Sequence, residues 1–281
     1  MELLRLGRPG TETPALRAAD KIYDLSPFVR DLDPDFFGSG GIATVRALYR
    51  DGRLEELAGA GDLRAGPPVA QPGAVLCIGQ NYAAHAAESG SPPPREPILF
   101  FKQPSCLVGA DDDVVLPPGS VQADWEAELV VVIGTRADRL ASPADAPAVI
   151  AGYTIGNDMS ERGWQLRKDG GQWSQGKCFP TFGPLGPALV VDAVDPGNLG
   201  IRSWVNGEPR QSSVTKDMIF GIDHLVWYLS QTMTLRPADL IFTGTPEGVA
   251  LSGRFPYLKA GDVIEIEIDG LGRQRQTVAA G

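Results

Sequence analysis

The sequence predicts a mainly β fold with few helices, in which a small N-terminal domain (residues 1–70) precedes a larger one (71–281). Three observations predict it. Short Val/Ile/Leu runs separated by turn residues recur throughout the larger segment. The 281 residues include 34 Gly and 24 Pro, a composition that favours turns over long helices. Helical periodicity is confined to a few stretches.

Within 1–70, LLRLG (3–7) and KIYDLS (21–26) read as short strands, and residues 54–60 with their neighbours as a short helix. The Gly/Pro-rich segment 59–73 then reads as a linker. Beyond it the expected strands are AVLCIG (74–79), ILFFK (98–102), DVVLP (113–117) and AELVVVIG (127–134). YTIGND (153–158), ALVVD (188–192), IRSWVNG (201–207), DLIFTG (239–244) and DVIEIEID (262–269) follow. The longest helical pattern covers about 218–234, with Ile219, Ile222, Leu225, Val226 and Leu229 on its apolar face.

Composition excludes several classes of function. Net charge is −10 with no Lys/Arg run, which argues against nucleic acid or an anionic membrane as partner. No apolar stretch has the length of a membrane span, and the N-terminus lacks a signal-peptide core. Three scattered cysteines (Cys77, Cys106, Cys178) fit a reducing cytoplasm better than a disulfide framework. With only two histidines, His85 and His224, a zinc site built on several is excluded.

Asp124, Glu126 and Glu128 alternate, so on a strand they share one side, about 7 Å apart from neighbour to neighbour. Three such acids ahead of the apolar run 129–133 suit a hard cation such as Mg²⁺, Mn²⁺ or Ca²⁺. A solvated strand end has the same spacing. In IGQNYAAHAAESG, Asn81 can cap a short helix on which His85 and Glu88 stand one turn apart, and Gly90 can stop it. A carboxylate beside an imidazole can fix its tautomer and help it activate water; a surface His–Glu contact looks the same. The following SGSPPPREP reads equally as a lid or as a rigid loop. Asp158 is a further acid or a helix N-cap. Lys177 and Lys102 could each face an anionic substrate or merely be solvated, and Thr243-Gly244-Thr245-Pro246 is a tight turn that could hold a carboxylate. His224 reads as structural or surface.

In chain order, IGQNYAAHAAE, ILFFK, DWEAELVVVIG, GYTIGNDMSER, GGQWSQGKCFPTFGPLGP, VNGEPRQ, TKDMIF, TGTPEGV and AGDVIEIEIDGLG resemble the fumarylacetoacetate hydrolase family. They cover roughly residues 74–272. The resemblance implies a mixed β-sandwich roll, usually assembled as a homodimer. It also implies Mg²⁺ or Mn²⁺ held by Glu126, Glu128 and Asp158, with Asp124 nearby but not a ligand. His85 and Glu88 would activate water, Lys177 would stand near metal and substrate, and Thr245, Lys102 and Gln175 would contact the substrate. The implied activity is metal-dependent hydrolysis of a C–C bond in a 2,4-diketo acid, an acylpyruvate or a 2,4-diketo-3-deoxy sugar acid, releasing pyruvate. The alternatives are an oxaloacetate-type decarboxylase or isomerase on the same scaffold, or a non-catalytic binding protein. Departures from the family pattern fall at Gln80, Pro180, Phe242 and the segment ALSGRFPYL (250–258), which point to an altered substrate pocket.

Overall fold

The computed structural model describes residues 1–166, 171–192 and 194–281. Among them, most strands join one twelve-stranded sheet, and a second sheet has five strands. The path through the large sheet begins Glu55–Glu56, Lys21–Asp24, Thr13–Ala18, Glu2–Leu6, Leu189–Val190. It continues Ile150–Asn157, Ala127–Ile133, Leu240–Phe242, Val75–Gly79, Ile98–Lys102. The five-stranded sheet runs Glu208–Val214, Gly200–Val205, Val263–Ile268, Gly272–Ala280, Val114–Leu116. Among the described residues helices are short, the longest being Ile222–Thr232 and Gly41–Arg50. This is the mainly β architecture with few helices that the sequence predicts.

The central strand Ala127–Ile133 explains why the sequence is unbroken and apolar from Leu129 to Ile133. Successive side chains alternate between faces. Leu129, Val131 and Ile133 enter the core shared with Ile201, Ile264 and Ile266 of the five-stranded sheet. Val130 and Val132 enter a second core with Leu3, Leu16, Cys77 and Phe242. Both faces are covered, so neither alternates with polar residues.

Two local expectations are corrected. Residues 54–60 form no α-helix: Glu55–Glu56 pairs with Lys21–Asp24 as an edge strand and a single 3-10 turn, Ala60–Asp62, follows, while the α-helices of this region are Pro34–Gly38 and Gly41–Arg50. Asn81 does not cap the Ala83–Glu88 helix, whose N-cap is Tyr82 without a side-chain bond. The Asn81 amide instead donates to the carbonyls of Phe220 and Thr243 and accepts from Phe220 N–H. The first four strands continue the large sheet, through pairing of Glu2–Leu6 with Leu189–Val190. The Gly/Pro segment after them is fastened at Gly66 N–H to Arg5 O (2.8 Å) and by Arg64 to Asp112.

Candidate active site

The antiparallel pair Ala127–Ile133 and Ile150–Asn157 ends at the partners Ala127↔Asn157. One residue beyond that pair, Glu126 and Asp158 lie opposite each other, joined by Asp158 N–H to Glu126 O at 2.9 Å. Asn157 Oδ1 also accepts from Glu126 N–H. Glu128 follows Glu126 by two residues and so shares its side of the chain. As a result Glu126, Glu128 and Asp158 each offer an oxygen within 4.8 Å of the others, and all three are buried.

Cations surround this cluster. Lys177 Nζ lies 2.6 Å from both Glu126 Oε2 and Asp158 Oδ2. Lys102 Nζ lies 2.7 Å from Asp158 Oδ1. Arg162 Nη2 lies 2.7 Å from Glu126 Oε1, and its guanidinium also reaches Gln165 Oε1 and Asp124. Burial alone would raise Glu126, but Lys177 and Arg162 outweigh it and hold the carboxyl well below its ordinary range. Glu128 goes the other way: burial, then Asp158 and Glu126, push it well above, and the Gly244 N–H it accepts at 2.8 Å does not compensate. Burial would lower Lys102, yet Asp158 raises it. Crowded carboxylates of this kind, all oxygen donors, fit a hard divalent cation.

Asp124 stands apart from the cluster. It is fully buried, accepts from the N–H groups of Trp125, Ala250 and Leu251, and pairs with Arg162. It thus anchors both Arg162 and the 250–251 turn.

A cavity of about 310 Å³ opens beside the carboxylates, lined among others by His85, Glu88, Glu126, Arg162, Lys177 and Leu251. His85 Nδ1 lies 3.0 Å from Glu88 Oε1, and both oxygens of Glu88 accept from Gly248 N–H at 3.1 Å. Trp173 and Lys177 come from one short helix, Trp173–Lys177. That helix sits close because Gly79 and Gly176 lack side chains: a Cβ on Gly79 would lie 2.2 Å from the Trp173 ring, and one on Gly176 2.6 Å from Gln165.

Of the residues expected from the sequence, His85, Glu88, Glu126 and Lys177 line the cavity. Glu128 and Asp158 adjoin it through Glu126 and Lys177. Lys102 is enclosed behind Asp158. Thr245 donates its hydroxyl to Ala127 O (2.9 Å) and accepts from Gln211 Nε2 (2.7 Å). Gln175 is exposed on the outer side of its helix. Gly170, the first residue of GGQW, lies outside the described residues. His224 stacks between Phe220 and Tyr228 on the Ile222–Thr232 helix. Pro180 is exposed, and Phe242 is core: its ring fills the space over Gly156, where a Cβ would approach to 2.4 Å. Among the departures from the family pattern, Gln80 and Leu251 do line the cavity. Spacing marks neither Arg162 nor Gln165; Arg162 ends the motif GYTIGNDMSER, whereas nothing in the sequence marks Gln165.

The family model for the C-terminal part of fumarylacetoacetate hydrolase matches residues 74–279. A protein of Burkholderia multivorans named as a hydrolase is 45% identical over 286 residues, covering 100% of this chain and 99% of that protein. The crystal structure of 5-carboxymethyl-2-hydroxymuconate delta-isomerase from Mycobacterium smegmatis is 33% identical, with a TM-score of 0.79, over 100% of this chain and 99% of that one. Maleylpyruvate hydrolase from Sphingobium sp. SYK-6, solved with manganese(II) and pyruvate, is 27% identical with a TM-score of 0.82 over the whole of both chains. By the extent of the family match, the order of its motifs and the acid cluster they bring together, this chain belongs to the fumarylacetoacetate hydrolase family.

Proposed function

We propose that the protein is a metal-dependent hydrolase that cleaves a C–C bond of a 2,4-diketo acid, an acylpyruvate or a 2,4-diketo-3-deoxy sugar acid, and releases pyruvate. One observation carries this reading. The His85–Glu88 pair and the Glu126–Lys177 pair face the same cavity. Glu126, Glu128 and Asp158 would hold Mg²⁺ or Mn²⁺, because their oxygens are crowded, buried and mutually repelling. A divalent cation bound there supplies Lewis-acid polarisation and offsets developing negative charge.

The chain's own groups account for the remainder. Glu88 is held by Gly248 and pairs with His85 Nδ1, which leaves Nε2 to take a proton from water. The water oxygen adds to the distal (C4) carbonyl carbon. The C3–C4 bond then breaks and its electron pair moves to C3, forming the enolate of pyruvate, while C4 departs as a carboxylic acid. His85 returns the proton to C3. Lys177, on the cavity wall, places an ammonium toward the charge that develops on the enolate. The substrate-contact roles expected of Lys102, Thr245 and Gln175 would act from outside the lining, Lys102 and Thr245 being buried behind it and Gln175 exposed away from it. The same reading takes the protein as a cytoplasmic homodimer acting on a small keto acid, and its three free cysteines agree with a reducing compartment.

The test is pyruvate release from a panel of acylpyruvates and 2,4-diketo-3-deoxy sugar acids, with oxaloacetate alongside, each with Mg²⁺, Mn²⁺ or EDTA. Metal-dependent pyruvate from a diketo acid supports the hydrolase. Turnover of oxaloacetate alone would replace it with a decarboxylase, and isomerisation of a dienoic acid without cleavage would replace it with an isomerase.

A further inference from the structure

Lys102 has no exposed side-chain surface. Its ammonium donates to Asp158 Oδ1 (2.7 Å), Met159 O (3.3 Å) and Lys177 O. An ammonium has three hydrogens, so all are committed to protein acceptors. Asp158 therefore lies between two lysines, Lys102 on Oδ1 and Lys177 on Oδ2. Lys102 also holds the main chain of the second of those lysines.

The strand that carries Lys102, Ile98–Lys102, meets the Trp173–Lys177 helix along its length. Phe100, two residues before Lys102 and on the same face, sets its ring 5.0 Å from Lys177 Nζ. Phe101 N–H donates to Ser174 Oγ, and Gln103 N–H to Cys178 Sγ, each at 3.2 Å. Lys177 is thus held at its side chain by the Phe100 ring over the ammonium, and at its main chain by Lys102 on the carbonyl.

Resting on the hydrolase reading, we propose that Lys102 is a positioning residue: it ties Asp158 to the end of the Trp173–Lys177 helix and so sets where the Lys177 ammonium stands. Two consequences of opposite sign follow. Removing the Lys102 charge leaves Asp158 with one cationic partner and makes its carboxylate more available to a divalent cation. Removing the bond to Lys177 O loosens Lys177 and slows the reaction. A structural prop would weaken both properties, and a substrate contact would act on KM.

The experiment compares Lys102→Met with the natural protein by calorimetric titration with Mn²⁺, without substrate, and by steady-state pyruvate release. Mn²⁺ should bind about fivefold or more tightly, since a charge adjoining a ligand oxygen is lost. The value of kcat should fall about 100-fold, as expected for a misplaced charged group, with KM little changed. Unchanged or weaker Mn²⁺ binding in a folded variant overturns the proposal, as does a raised KM at natural kcat. Should Lys102→Met fail to fold, Lys102→Arg keeps the charge but replaces the three-way donor with a planar fork. It should then keep its Mn²⁺ affinity and lose about tenfold in kcat, and natural kcat in that variant overturns the proposal. If the natural protein releases pyruvate from no diketo acid, the hydrolase reading fails by itself. The Mn²⁺ titration of Lys102→Met then decides the tie alone, tighter binding supporting it and any other result overturning it.

Discussion

Asp158 donates its backbone N–H to Glu126 O at 2.9 Å, so two acids 32 positions apart are locked together just where their strands leave the sheet. Their backbones are held by that main-chain bond and their carboxylates by Lys102, Lys177 and Arg162. A site built this way loses a ligand oxygen without losing the strands that carry it.

Replacement of Asp158 by Asn, or of Glu128 by Gln, should therefore leave a folded protein that binds Mn²⁺ at least about 100-fold more weakly and releases no pyruvate, one charged oxygen donor being lost from a three-acid site. Calorimetric titration with the ion checks the first half and the pyruvate assay the second. Natural Mn²⁺ affinity in either variant would remove that residue from the proposed ligand set.

Glu88→Ala separates water activation from ion binding. Glu88 contacts His85 and Gly248 but none of the three clustered acids. Turnover should fall by about 10²–10⁴, the usual contribution of a positioned acid–base group, while Mn²⁺ affinity is unchanged. Natural kcat in this variant would mean that the His85–Glu88 pair is not the base.

Ion binding should depend on pH with a definite sign. Glu128 is raised well above its ordinary value by burial and by its two acidic neighbours, so it holds a proton under conditions where a free carboxylate would not. Glu126 is lowered and has no proton to lose there. Binding a cation must expel the Glu128 proton, so affinity should tighten as pH rises and each ion bound should release a proton into the buffer. Titrations at one pH in buffers of different ionisation enthalpy measure that proton; a heat that does not vary with buffer would contradict the assignment.

Gly156 and Phe242 should behave as a coupled pair. A Cβ at position 156 would meet the Phe242 ring at 2.4 Å and Val130 at 2.7 Å. Gly156→Ala should cost about 1–3 kcal/mol by overpacking. Phe242→Ala should cost about 3–5 kcal/mol by leaving a void. The double variant should be more stable than the sum of the two predicts, because the new methyl enters the vacated space. Denaturant titration of the four proteins completes the cycle, and strict additivity would refute the coupling.

Much of this was legible in the sequence because it depends on local pattern. The run 129–133 announced a buried strand, and the i, i+3 spacing of His85 and Glu88 placed them on one helical face. What stayed hidden depends on contacts between distant residues. Glu208–Val214, whose sequence EPRQSSV is polar, is a strand only because Gly200–Val205 pairs with it. Gln165 reaches the cavity because it packs over Gly176, a relation no spacing encodes. Asp124 shared its parity with Glu126 and Glu128, but Arg162 and the amides of Ala250 and Leu251 take up its oxygens. Parity chooses a side of the chain; partners decide what a carboxylate does there.

The strand that carries Glu128 is covered on both faces, whereas the helix that carries His85 and Glu88 has six residues and no side-chain cap. Amides in a doubly covered strand exchange with solvent only when the whole molecule opens, while a short uncapped helix can fray alone. The two halves of the site therefore belong to different tiers of the exchange hierarchy. On mild warming, deuterium should enter 83–88 long before 127–133. The protein would then pass through a form whose carboxylates are still assembled while its base has come adrift.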